Sequence, residues 1–160
     1  MTPTLAKSGR RFDSPQQEVY LSLWRTYDRL RALEEECFAG FGLTAQQYNA
    51  LRLLAAAYPQ KVPTLVVAAR LISRAPDITR LLDKLDQRGL IERERPADNR
   101  RTVMVGITES GLSLLEEMAP RVRECHDRQL GHLEPDEMRT LIDLLHKVRA
   151  PHESPDSNWR

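Results

Sequence analysis

The residues of this chain that could do chemistry are cations and hydroxyls, spaced for holding an anion rather than for making or breaking a bond. Arg80 and Lys84 are four apart, and Thr79 flanks them, so on a helix they share an outward face. Ser73 and Arg74 come just before, where the unpaired N–H groups of a helix start favour phosphate. Asp98-Asn99-Arg100-Arg101 follows on a polar turn. An arginine fork matches the guanine edge, while lysines and hydroxyls mostly hold phosphate oxygens. An arginine on a small ribbon suits the narrow minor groove of A/T-rich DNA. Asp98 is expected to accept hydrogen bonds from the turn backbone or a nearby guanidinium, stiffening the loop. Thr64, Ala75 and Asp77 complete the candidate DNA-contact set. The competing reading of the turn is a solvated loop with an internal Asp–Arg pair.

The charge distribution supports an anionic partner for the middle of the chain. Net charge is only +1, but between Lys61 and Arg101 ten basic residues face six acids. Between Glu109 and Glu137 eight acids face three arginines. One face is then suited to an anion and another avoids it. No nucleophile–base pair and no phosphate-cradling glycine motif is present, so the chain does not read as an enzyme. Cys125-His126 with His132 invites a metal reading, but the two histidines are six apart, on different helix faces, and lack a converging carboxylate cluster. Neither a metal nor another cofactor is expected. Cys37 sits in an apolar stripe with no cation near it in sequence and reads as a buried, inert thiol.

These residues need elements to position them. At 160 residues, 41% hydrophobic and 29% charged, the chain suits one soluble domain. Its longest apolar stretches are too short to span a bilayer, Met1–Arg11 lacks the apolar core of a secretory signal, and two cysteines are too few for a disulfide scaffold. A cytoplasmic protein with reduced thiols and no membrane partner is the default expectation. Ser14-Pro15 opens a long helix whose stripe is Val19, Leu23, Tyr27, Leu30, Leu33, Cys37 and Phe38, ended by Gly40 and Gly42. Thr44 and Gln47 form a capping box for a second helix running to about Tyr58. A short helix, Leu65 to about Leu71, and a tight joint at Ile72-Ser73-Arg74 come next. A further helix is predicted from Ala75 or Pro76 to Arg88, closed by Gly89. Leu90–Arg93 and Thr102–Ile107 read as the strands of a hairpin around Pro96–Asn99. Thr108 caps a helix that Pro120 is predicted to kink, and Leu133–Glu137 starts the last one.

Helix, short helix, turn, helix and hairpin make a winged helix-turn-helix. Ile78–Leu85, Arg88–Arg93, Asp98–Arg101 and Ile107–Gly111, in this order and spacing, resemble the signature of MarR-type transcriptional regulators, and Leu43–Tyr48 with Leu51 and Leu54 resembles the helix that precedes it. The match covers most of Phe12 to Arg149. The resemblance implies a mainly α fold with a small β-hairpin wing, flanked by N- and C-terminal dimerisation helices. It puts the DNA-reading helix on about Ala75–Arg88 and the wing's Asp-x-Arg on Asp98 and Arg100. Two departures stand out. Leu65–Leu71 is unusually apolar, which either exposes Val66 or Val67 or sets it against the sugar–phosphate backbone without hydrogen bonds, and the wing between Arg93 and Asp98 is slightly short.

The boundaries expected are a flexible arm over 1–13, a dimerisation helix over 14–42, the winged unit over 43–111, dimerisation helices over 112–149 and a flexible tail over 150–160. Leu112, Leu115, Leu141, Leu145 and the Val19–Phe38 stripe need a surface beyond one small domain, which a two-fold homodimer supplies. Relatives by resemblance bind small phenolic or aromatic effectors between the dimer helices and the winged unit, where Trp24, Tyr27 and Tyr48 are the candidate lining; the competing reading is that aromatics at this helical spacing are simply core. The expected function is a sequence-specific, double-stranded-DNA-binding regulator, a repressor by resemblance, released by an effector through a population shift. The rivals are a winged-helix protein-interaction module without DNA binding, and a redox- or metal-sensing regulator of the same fold.

Overall fold

Local capping chemistry sets the helix ends in the computed structural model, which describes residues 11–75, 77–157 and 159. The first ten residues of the expected arm lie outside the described residues. Helix α1 (Pro15–Ala39) starts where the Ser14 hydroxyl accepts the Gln17 amide, with proline at its first position. Helix α2 (Ala45–Ala57) carries the capping box in full: the Thr44 hydroxyl accepts from Gln47 N, and the Gln47 side chain accepts from Thr44 N. A two-residue strand β1 (Val62–Pro63) precedes α3 (Thr64–Arg70), and α4 (Ile78–Gln87) follows. Strands β2 (Ile91–Glu94) and β3 (Met104–Ile107) form the wing. Helices α5 (Glu109–Leu130) and α6 (Pro135–Arg149), then a 3-10 turn over Ala150–His152, complete the chain.

The sheet is antiparallel in the order β1-β3-β2, with Val62 opposite Val105 and Ile91 opposite Ile107. The hairpin expected from sequence is therefore three-stranded. The added strand is too short, and too close to a proline, to show an alternating pattern. Leu51, Leu54, Val67, Leu81, Leu82, Leu85, Ile91, Val105 and Ile107 form the centre of the winged unit.

Three sequence expectations change. Helix α4 begins at Ile78 rather than at Ala75 or Pro76, because the Asp77 carboxylate accepts the Arg80 amide at 2.9 Å and takes the N-cap. Pro120 does not interrupt α5, which continues through it as a single 22-residue helix. In the apolar α3, Val67 is buried and Val66 half-buried, whereas Leu65 at the first turn is 81% exposed.

The apolar stripes divide between two surfaces. Phe38 of α1 and Leu115, Met118 and Val122 of α5 are buried within the chain's own core, so Phe38 and Leu115 need no second copy. The open apolar face lies elsewhere. Val19, Tyr20, Leu21, Trp24 and Tyr27 line the first half of α1, and Leu141, Ile142, Leu144 and Val148 line α6, all exposed. No residue of α6 is buried. No helix among the described residues is long and apolar enough to cross a membrane.

Candidate nucleic-acid interface

The face that could meet an anion is built by committing some charges inward and leaving others out. Leu81, Leu82 and Leu85 anchor α4 in the core, which turns Thr79, Arg80 and Lys84 to solvent. Ahead of α4, the joint between the two helices spans residues 71–77 rather than three positions. Two side chains of α2 hold it: Asn49 Oδ1 accepts from Ile72 N at 2.9 Å, and Gln46 Nε2 donates to Arg74 O and Ser73 Oγ at 3.3 and 3.4 Å. Gln46 and Asn49 were missed in the sequence. The signal for them is a pair of amides three apart on a helix whose neighbours are apolar.

The wing is tied to α4 by an arginine fork. From β2, Arg93 Nη1 donates to Asp83 Oδ1 at 2.6 Å, and Nε and Nη2 donate to Asp86 Oδ2 at 3.0 and 2.7 Å. Lys61 bridges Glu92 and Glu94 of the same strand at 3.3 and 2.7 Å. Arg88, just past α4, donates to Gly42 O and Phe41 O at 3.0 and 3.1 Å, pinning the helix end to the α1–α2 turn. Gly42, at a φ of 69°, shapes that turn for the guanidinium.

These contacts pair Lys61 and Arg93 with Glu92, Glu94, Asp83 and Asp86, and hold Arg88 against two backbone carbonyls. Arg70, Arg74, Arg80, Lys84, Arg95, Arg100 and Arg101 stay outside ion pairs among the described residues, opposed by Asp77 and Asp98 alone. Outside these contacts seven cations face two acids, a net +5 against the formal +4 of the segment.

The sequence-predicted contact residues separate accordingly. Ser73, Arg74, Thr79, Arg80, Lys84, Arg100 and Arg101 are exposed along α4, its entrance and the wing loop. Four others are occupied differently. The Thr64 hydroxyl donates to Val103 O at 3.2 Å and closes β1 onto the wing. Ala75 is half-buried against the core. Asp77 caps α4. Asp98 makes none of the turn bonds expected of it, because Asn99 makes them instead: its Nδ2 donates to Thr102 Oγ1 at 2.9 Å and its Oδ1 accepts from Arg101 N at 3.3 Å. Arg95 Nη1 braces the loop from inside by donating to Arg100 O at 2.9 Å.

The three candidate effector aromatics do not share one space. Tyr48 stacks on Phe38 with ring centroids 4.6 Å apart and belongs to the core side of α2. Its phenol is held above the ordinary tyrosine range by burial. Trp24 is 63% exposed and packs against Tyr20 on the open face of α1. Tyr27 alone lines a large cavity, of about 910 Å³, between the winged unit and the α1/α6 side, together with Leu53, Arg70, Leu145, Arg149 and Trp159. Trp159 returns from the tail expected to be loose, and the Arg149 guanidinium lies 6.0 Å above its ring. Arg149 Nε pairs with Glu153 Oε1 at 3.0 Å.

The chain matches the model of the MarR family over residues 43–103. It is similar to a MarR transcription factor from Planctomyces limnophilus, 56% identical, with a TM-score of 0.69, over 86% of this chain and 99% of that one. It is similar to a mutant MarR from Escherichia coli solved with operator DNA, 25% identical, with a TM-score of 0.73, over 82% and 93% of the two chains. It is also similar to BpsR of Bordetella bronchiseptica, whose DNA binding is described as regulated by 6-hydroxynicotinic acid. That chain is 25% identical, with a TM-score of 0.74, over 84% and 95% of the two chains.

Proposed function

The chain belongs to the MarR family of transcriptional regulators, and from that premise we propose that it represses transcription as a homodimer on a near-palindromic operator. The observation that carries this reading is the commitment of Arg88 and Arg93 to partners within the chain, which leaves Arg74, Arg80, Lys84, Arg100 and Arg101 free on a helix, its entrance and an adjacent loop. A protein-interaction module has no need of that separation. Helix α4 enters the major groove, where Arg80 reads a base edge and Lys84 and Thr79 hold phosphates. The wing loop brings Arg100 and Arg101 to the neighbouring minor groove.

The open apolar face of α1 and α6 supports the dimer. Each large apolar side chain withdrawn from water there contributes about 1.5–3 kcal/mol. Two-fold pairing through it sets the half-sites roughly 34–36 Å apart. Ile142→Glu is expected to raise the dimer dissociation constant at least about tenfold, read by sedimentation at graded concentrations. A variant that dimerises like the parent removes α6 from the interface.

The cavity beside Tyr27 supports control by a small aromatic anion. Its size suits such a ligand, Tyr27 and Trp159 offer ring faces, and the Arg149 guanidinium supplies positive charge at its edge. Occupancy there would bear on α1, α2, α3 and α6 together, and so on the spacing of the two α4 helices.

The deciding experiment is binding of the purified protein to DNA from around its own gene, over a salt series with random duplex as competitor. For six to ten phosphate contacts, log K falls against log salt with a slope of about −5 to −9, and operator is preferred by about a thousandfold or more. A steep slope without preference makes the protein a general DNA binder, and no binding by a folded dimer favours the interaction module. On the operator, Arg100→Ala is expected to weaken binding roughly five- to tenfold at unchanged thermal stability, and Arg80→Ala to relax base preference at one position per half-site. Unaltered preference in a binding selection removes Arg80 from base reading.

A further inference from the structure

Helix α3 closes on Leu71, whose ψ of 142° turns the chain out of the helix. Leu71 N still donates to Val67 O at 3.1 Å, but Ile72 lies past the turn, so its N–H needs an acceptor from elsewhere. Asn49 Oδ1 of α2 supplies it at 2.9 Å. Gln46, three positions earlier on α2, reaches the next two residues, donating to Ser73 Oγ and Arg74 O at 3.4 and 3.3 Å. The two amides differ in their surroundings. Asn49 lines the large cavity beside Tyr27, with Leu53, Arg70 and Ile72, whereas Gln46 is outside that lining. Asn49 is half-buried, and its Nδ2 makes no hydrogen bond within the chain among the described residues. One amide of the cavity wall thus has its oxygen on the joint ahead of α4 and its nitrogen uncommitted.

We propose that Asn49 is the positioning residue that carries occupancy of this cavity to α4. An aromatic carboxylate in the cavity offers an acceptor to Asn49 Nδ2, and Arg70 supplies charge of the opposite sign. Both ends of the amide belong to one flat group. Its nitrogen cannot swing to a ligand without lifting its oxygen from Ile72 N. The joint then loses the shortest of its three ties to α2, and Ser73 and Arg74 are free to shift. Helix α4 starts within a few residues of them, so Arg80 and Lys84 are re-aimed. The coupling is reciprocal: operator that holds the joint in place also holds the amide away from the ligand, so each weakens the other by the same factor. This step rests on the regulator and effector reading above, to which it adds the group that links the two sites.

The test follows hydrogen exchange at the Ile72 amide of the full-length protein by NMR, with benzoate as the probe and operator binding measured alongside. Without benzoate, Asn49→Ala is expected to speed Ile72 exchange about tenfold, and to weaken operator binding at least about fivefold for a dimer changed in both copies. In the parent, benzoate is expected to shift the Leu53 and Ala69 resonances of the cavity and to speed Ile72 exchange. Asn49→Asp keeps the oxygen and removes the N–H donors. It is expected to retain slow Ile72 exchange and to lose the response to benzoate. Gln46→Ala is expected to weaken operator binding yet keep the benzoate response at Ile72, which separates loosening of the joint from transmission through Asn49.

Benzoate that shifts the cavity resonances and leaves Ile72 exchange unchanged overturns the proposal. So does a benzoate response that persists in Asn49→Asp, or a cavity that ignores benzoate up to its solubility limit. If the parent binds operator and Asn49→Ala binds it equally well, the regulator reading stands and Asn49 has no part in it. If the parent binds no operator, the regulator reading fails, and the exchange measurements alone decide whether the cavity and the joint are linked.

Discussion

Gly111→Ala is expected to destabilise the protein by about 3 kcal/mol or more, lowering its thermal midpoint by roughly 6–12 °C for a chain of this size. A Cβ built on Gly111 lies 2.3 Å from Leu90 O and 2.5 Å from Ile107 Cγ1. Neither neighbour can withdraw. Leu90 O accepts from Thr108 N at 3.1 Å, and Ile107 is a buried strand residue. The Thr108 hydroxyl meanwhile donates to Gly89 O at 2.6 Å and accepts from Gly111 N at 3.1 Å. The base of the wing and the start of α5 are one hydrogen-bonded knot, and the added methyl forces it apart. Gly40→Ala is the control, because its Cβ would meet nothing nearer than 3.5 Å on a backbone with a φ of −60°. Melting curves at one fixed protein concentration compare the two. Equal midpoints for both variants would show that the knot yields freely.

Arg93→Ala is expected to weaken operator binding about ten- to hundredfold while moving the thermal midpoint less than Gly111→Ala does. The fork from β2 to Asp83 and Asp86 does two jobs. It fixes the wing's angle to α4, and it masks two carboxylates on the helix that carries Lys84. Without it, both acids face the phosphate backbone and the wing loses its tie. The partners are 40–44% exposed at the side chain, so the loss in folding free energy is discounted by solvent to about 1 kcal/mol. The binding loss is larger because two negative charges appear beside the ligand. Asp83→Asn with Asp86→Asn, combined with Arg93→Ala, is expected to restore part of the affinity, and the cycle isolates the masking role. If Arg93→Ala binds like the parent, the fork has no part in DNA binding.

The fold was legible where local chemistry repeats. Thr44 with Gln47, Ser14-Pro15, the leucine stripe of α4 and Gly89 each announce an end or a face within a few residues. The outward set Thr79, Arg80 and Lys84 follows from that stripe by helical spacing. What stayed hidden depends on long-range partners. That Arg88 reaches Phe41 and Gly42, that Arg93 reaches α4, and that Thr64 bonds Val103 cannot be read from neighbours in sequence. The turn of the wing was read through its charged Asp98, whereas the uncharged Asn99, donor and acceptor at once, makes the bonds. Cys37 and Cys125 line one small cavity although 88 positions separate them, which no reading of sequence neighbours shows.

The winged unit is entered from α1 and left through α5, and those two helices pack side by side. In architectural terms it is a cassette, plugged in through one socket. Its sheet, its α4 and its fork lie between Leu43 and Gly111 and share one core with Phe38, Leu115, Met118 and Val122, while the exposed apolar side chains of α1 and α6 lie on the segments on either side. On the proposed function, the outward side chains of α4 can then drift through mutation while the apolar faces of α1 and α6 stay constant. A lineage carrying this arrangement can acquire new operators without rebuilding its assembly, and a chimera joined at the α1–α2 turn and the start of α5 inherits the donor's target with the recipient's partner.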